Sequence, residues 1–150
     1  MKNLNILALD VATHCGWATK VASGVWDLSI KRDESSGTRL IRFRHKVLEV
    51  IKLGGINFVA FERTAGAYKS ALIIQSELHG VLKIILEELG IPYMAFSATE
   101  IKKHATGKGN ASKPMMIEAA RNKLGYTGAD DNEADALWIL DLCDKTINKV

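Results

Sequence analysis

The sequence predicts an α/β fold: a mixed five-stranded sheet, three antiparallel strands followed by parallel crossovers, with helices on both faces. Three observations lead there. Short apolar runs of strand length fill the chain up to residue 30. Beyond residue 38, helical periodicity alternates with further short apolar runs. The chain has 150 residues, 47% of them hydrophobic and 25% charged, which suits one folded unit with its own core. A barrel of eight βα units needs about 250 residues and is excluded. Residues 1–150 are therefore read as a single domain.

Residues 4–12 form an apolar run interrupted by one acid, Asp10, and read as a buried strand. His14, Cys15 and Gly16 read as a turn. Residues 17–21 and 25–30 read as two strands joined by a hairpin at Ala22, Ser23 and Gly24. Residues 38–53 carry Leu40, Phe43, Val47 and Val50 or Ile51 at helical spacing, and Gly54 and Gly55 stop that helix. Residues 57–62 are a second buried strand ending in one acid, Glu62. Lys69–Leu89 is a long helix closed by Gly90, with Pro92 beyond. Its apolar stripe is broad, which predicts more than one packing neighbour. Residues 92–96 are a short strand, 99–105 a short helix, and 106–111 a Gly-rich basic loop. Ser112 caps the next helix, which holds Pro114 in its first turn and ends at Gly125. Asp131 opens a last helix that runs to Asp144.

Composition excludes several classes. The two cysteines, Cys15 and Cys143, are far apart and form no CxxC, so neither a disulfide framework nor a zinc site is expected. No targeting segment and no apolar run long enough to span a bilayer is read, and a cytoplasmic location is expected. The net charge is only +3, yet it is unevenly spread. Residues 31–53 hold seven Lys or Arg against three acids, and 99–125 hold six against two. Residues 126–150 reverse this, with six acids and two lysines. A basic surface beside a concentrated acidic spot suits an enzyme of nucleic acid that also binds cations.

Four acids stand where apolar patterns break: Asp10, Glu62, Asp131 and Asp135. If the first and fourth strands are neighbours, Asp10 and Glu62 lie side by side at one end of the sheet. Residues four apart on a helix differ by about 40° in direction, so Asp131 and Asp135 share a face. The last helix can bring them onto the first pair. Asp135 is flanked by Ala134 and Ala136, as though something approaches closely. Such a cluster is unfavourable without a cation, because like charges resist ionisation together. Hard oxygen ligands favour Mg²⁺, with Mn²⁺ as substitute, over zinc. Two such ions about 4 Å apart perform phosphodiester hydrolysis, one activating water and the other stabilising the leaving 3′ oxygen. The alternative for each acid is plainer: a turn former after a strand, or an acid favoured at a helix N-terminus.

These residues resemble a known family. Leu9-Asp10-Val11-Ala12 followed by Gly16-Trp17-Ala18 is similar to the opening of the RuvC-type Holliday junction resolvases. Phe61-Glu62 resembles their second acid. Residues 97–102 and 106–113 resemble their basic Gly-x-Gly-x-x-x-Lys segment, and 132–137 resembles their closing acidic helix. The similarity covers residues 4–142, and the short chain is most like the phage-type members. It implies an RNase H-like fold, a homodimer, and Mg²⁺-dependent nicking of four-way or otherwise branched DNA. It also implies that Asp10, Glu62, Asp135 and one position near Asp131 are the catalytic, metal-holding acids. The family places an acid or His three residues before the last Asp. This chain has Asn132 there and Asp131 one residue earlier, and Asp131 is the favoured choice. The family's wedging aromatic is also missing, since Ala65 holds its place and Tyr68 is the nearest aromatic able to stack on a base.

Lys102, Lys103, Lys108 and Lys113 flank glycines, and backbone N–H groups of Gly107 and Gly109 can approach phosphates. These residues, with Arg63 and Tyr68, are the expected DNA contacts. The segment does not fit the phosphate-binding loop of nucleotide hydrolases. Arg39 and Arg42 read as solvated helix charges, and His104 as a side chain able to donate a hydrogen bond to a phosphate. The Lys69–Leu89 helix is the expected dimer seam, because symmetric nicking needs two sites related by a two-fold axis. Rival readings are an RNase H-like nuclease on other structured nucleic acid, a non-catalytic junction-binding module, and an ATP-binding relative of sugar kinases.

Overall fold

A computed structural model describes residues 4–64 and 69–148. The strands are β1 (Ile6–Asp10), β2 (His14–Ala18), β3 (Ser23–Asp27), β4 (Phe58–Glu62) and β5 (Tyr93–Phe96). The helices are α1 (Ser36–Gly54), α2 (Lys69–Leu89), α3 (Ala98–Thr106), α4 (Lys113–Leu124) and α5 (Asp131–Ile147). The sheet runs β3-β2-β1-β4-β5. The first three strands are antiparallel neighbours, and β1, β4 and β5 are parallel. The expected mixed sheet is therefore present, with the first and fourth strands paired at its centre.

Strand alternation divides the core in two. Leu7 and Leu9 of β1 and Val59 and Phe61 of β4 pack with Phe43 and Val47 of α1 and with Leu78, Leu82 and Leu86 of α2. Ile6 and Ala8, with Phe58 and Ala60, face the other way onto Ile101, Met116, Ala134, Trp138 and Ile139 of α3, α4 and α5. By the same period of two, Asp10 and Glu62 belong to this second face. The alanines matter there: Ala8, Ala60 and Ala134 let α5 lie close to the central strands.

Several local expectations are corrected. His14, Cys15 and Gly16 form the start of β2 rather than a turn, because they pair with Trp26 and its neighbours on β3. The hairpin turn lies earlier than expected, closed by Thr19 N–H donating to the Ala22 carbonyl at 2.7 Å. Three helices follow β5, at the places the sequence predicts them. Ser97 and Glu100 close a capping box at the start of α3. Asp131 opens α5 as expected, and Asp130 caps it, its carboxylate accepting from Asn132 N and Glu133 N. Arg39 and Arg42 are not simply solvated. Arg39 donates to the Leu28 carbonyl at 3.1 Å, and Arg42 pairs with Glu34, so both tie the chain after β3 to α1. Both cysteines are free and buried, as expected.

Candidate active site

The chemistry collects at the C-terminal ends of β1 and β4. Leu9 pairs with Phe61 in the parallel register, so Asp10 and Glu62 are the next residues along adjacent strands. Across the other edge of β1, Asp10 pairs with Gly16. Gly16 explains how the helix reaches this point. A Cβ there would run into the backbone carbonyl of Asn132, so only glycine lets the first turn of α5 rest on β2. That contact sets Asp131 and Asp135 over the sheet end that carries Asp10 and Glu62.

The electrostatics show that the four acids share one environment. Asp10 is held well above the usual carboxylate range, by burial first and then by Asp135, Glu62 and Asp131. Asp135 is pushed up to about 7, by burial first and then by Glu62 and Asp131. Glu62 is raised by burial and partly relieved by Lys102. Lys113 Nζ stands 3.4 Å from Asp131 Oδ2 and eases the charge on Asp10 and Asp135 as well. Two of the lysines expected to touch DNA thus also face the acids. Among the described residues no group of three His, Cys, Asp or Glu side chains is drawn together into a ready-made metal cage. The donor set still fits a hard divalent cation. It consists of half-buried carboxylates, desolvated at an energetic cost that a bound cation relieves, with no thiolate or imidazole among them.

The other expected contacts are distributed around this centre. Arg63 is exposed and lies 3.6 Å from Glu100. Lys103 and Lys108 are exposed, and Lys102 is half-buried. Gly107 has φ +83° as the C-cap of α3, and its N–H donates to Lys103 O at 2.8 Å. That amide is therefore engaged within the helix cap. Gly109 packs close to Thr99, where a Cβ would approach Thr99 Cγ2 at 2.8 Å. His104 is likewise engaged, with Nε2 at 2.7 Å from Asp141. Tyr68 lies outside the described residues. Two supporting residues escaped the sequence reading. Gln75 of α2 donates to the Val11 carbonyl at 3.1 Å and braces the chain leaving β1. Thr64, two residues after Glu62, is tied to the buried His79 ring at 2.6 Å.

Among the described residues no helix is long and apolar enough to cross a membrane. No family model matches the chain. It is, however, 32% identical over 118 residues to the crossover junction endodeoxyribonuclease RuvC of Anaeromyxobacter sp. strain Fw109-5. That match takes in 78% of this chain and 56% of the relative, so the chain spans little more than half of that protein. It is 28% identical over 145 residues to the RuvC of Wolinella succinogenes, covering 83% of each. Among solved structures, T. thermophilus RuvC in complex with Holliday junction substrate superposes with a TM-score of 0.75 at 22% identity, over 91% of this chain and 90% of that one. The sheet and its flanking helices thus have the RNase H-like fold, and the chain is a relative of RuvC in sequence.

Proposed function

We propose that this relative of RuvC is a metal-dependent endonuclease that cuts branched DNA, four-way junctions above all, by phosphodiester hydrolysis. The observation that carries the reading is the convergence of Asp10, Glu62 and Asp135, all half-buried and all held above the usual carboxylate range, at one end of β1, β4 and α5. Burying several acids together is costly, and a structural role alone gives no return for it. Asp10, Glu62, Asp131 and Asp135 would hold Mg²⁺, with Mn²⁺ as substitute. When bound, such ions activate water and stabilise the leaving 3′ oxygen. Asp131 is preferred to Asn132 as the fourth ligand because its charge reaches both Asp10 and Asp135.

The chain's own residues do the rest. Lys102 and Lys113 limit the repulsion among the acids and, with Lys103, Lys108 and Arg63, form the cationic border for the phosphate backbone. Exposed Ile73 and Ile84 of α2 leave that helix an apolar outer face, which supports a homodimer with two sites across one junction. Residues 1–150 act as one nuclease domain in this reading.

The test separates cutting from binding. Asp10→Asn and Asp135→Asn are expected to reduce Mg²⁺-dependent nicking of a four-way junction by at least about a hundredfold, a loss of roughly 3 kcal/mol in the barrier. Junction binding in EDTA is expected to persist in both. Near wild-type cleavage by either variant contradicts the site.

A further inference from the structure

We propose that Glu133 is a positioning residue for the acidic site, a strut that fixes the first turn of α5 and so decides where Asp131 and Asp135 stand. The inference rests on the reading of those two acids as metal ligands. Glu133 is half-buried, and both of its carboxylate oxygens are taken. Ser23 Oγ donates to Oε2 at 2.7 Å, and the Tyr126 hydroxyl donates to Oε1 at 3.0 Å. One side chain therefore links α5 to the start of β3 and to the loop between α4 and α5.

The network closes on itself. Asp130 N–H donates to the Tyr126 hydroxyl at 3.0 Å. Asp130 Oδ1 in turn accepts from Asn132 N at 2.8 Å and Glu133 N at 3.0 Å. Arg121 holds the same loop, donating to the Gly128 carbonyl at 3.0 Å. The opposite side of the turn rests against Gly16, where the Asn132 carbonyl leaves no room for a Cβ. The turn that presents Asp131 is thus gripped from β2, β3 and the preceding loop, with Glu133 the residue common to the last two. An acid at this place adds repulsion to a turn already rich in acids, so its charge is a cost unless its bonds matter. Charge-assisted bonds to two hydroxyls are stronger than those a neutral side chain makes. A shift of about 1 Å in a site of this kind is enough to lower turnover on the order of a hundredfold.

The experiment uses the full chain with Glu133→Ala, Glu133→Gln and Tyr126→Phe. Thermal melting of the DNA-free protein is followed against MgCl₂ concentration, and the MgCl₂ giving half-maximal junction nicking is measured beside it. Glu133→Ala is expected to raise both midpoints on the order of tenfold. Tyr126→Phe moves them the same way by less. Glu133→Gln keeps an acceptor for Tyr126 and a partner for Ser23, and it restores most of the response. Unchanged MgCl₂ midpoints in Glu133→Ala, even with a lower melting temperature, overturn the proposal. Should that variant fail to fold, unchanged midpoints in Tyr126→Phe do the same. A wild-type chain that answers MgCl₂ in neither measurement overturns the metal reading, and the strut falls with it.

Discussion

Two titratable residues, the half-buried Asp135 and the buried His79, pull the pH dependence of stability in opposite directions. Asp135 is raised to about 7, against an ordinary carboxylate near 3.8. The folded chain therefore prefers the protonated acid, and stability falls as pH rises from about 4 to about 7. In EDTA, Asp135→Asn is expected to melt above wild type at neutral pH and to converge with it near the lower limit. Equal melting temperatures at neutral pH contradict the strained carboxylate. His79 is the reverse case. Its ring is pushed down to about 4, by burial first and then by Lys83, and Nε2 has no partner among the described residues. The fold holds this ring neutral, so its contribution is complete above about pH 6.5 and is lost as pH falls toward about 4. Urea unfolding across that window is expected to show a slope that His79→Leu flattens. A slope unchanged by the substitution contradicts the assignment to His79.

Among the elements, the contact of α5 with β2 is the most sensitive joint. Gly16→Val places carbon where the Asn132 carbonyl stands. Overpacking of this kind costs about 1–3 kcal/mol, and here it also lifts Asp131 and Asp135 off the sheet end. Loss of nicking beyond what the drop in melting temperature explains is the expected outcome, and full activity contradicts it. Ser97→Ala removes one half of the α3 capping box and is expected to cost about 1 kcal/mol by denaturant unfolding, without altering nicking. The same elements show what the sequence makes legible. Runs ending in Asp10 and Glu62 reveal buried strands, and Gly55, Gly90 and Gly125 mark helix ends, because those signals are local. The start of β2 is not legible, since His14, Cys15 and Gly16 become a strand only through pairing with β3. The four acids proposed as the site are legible in the sequence through their break with apolar patterns. Its support is not: Glu133, Gln75 and Thr64 act through partners 15 to 110 positions away, such as Ser23 for Glu133.

For the whole molecule, the charge pattern becomes an arrangement: an acidic centre bordered by Lys102, Lys103, Lys108 and Lys113, carried on a sheet whose outer helix α2 keeps an apolar face. Lys108 is exposed and touches none of the acids, so Lys108→Ala is expected to weaken junction binding and lower its salt dependence by about one ion, leaving MgCl₂ requirements unchanged. Lys113 differs, because its pairing with Asp131 couples binding to the site. The central claim is that this arrangement cuts branched DNA with a bound metal. Its most direct test is a nicking assay on a labelled four-way junction, with MgCl₂ and with EDTA, beside linear duplex, a replication fork and an RNA–DNA hybrid. The account predicts paired, symmetric, MgCl₂-dependent nicks in the junction and none in the duplex or the hybrid. Binding of the junction with no cleavage in either MgCl₂ or MnCl₂ would contradict it.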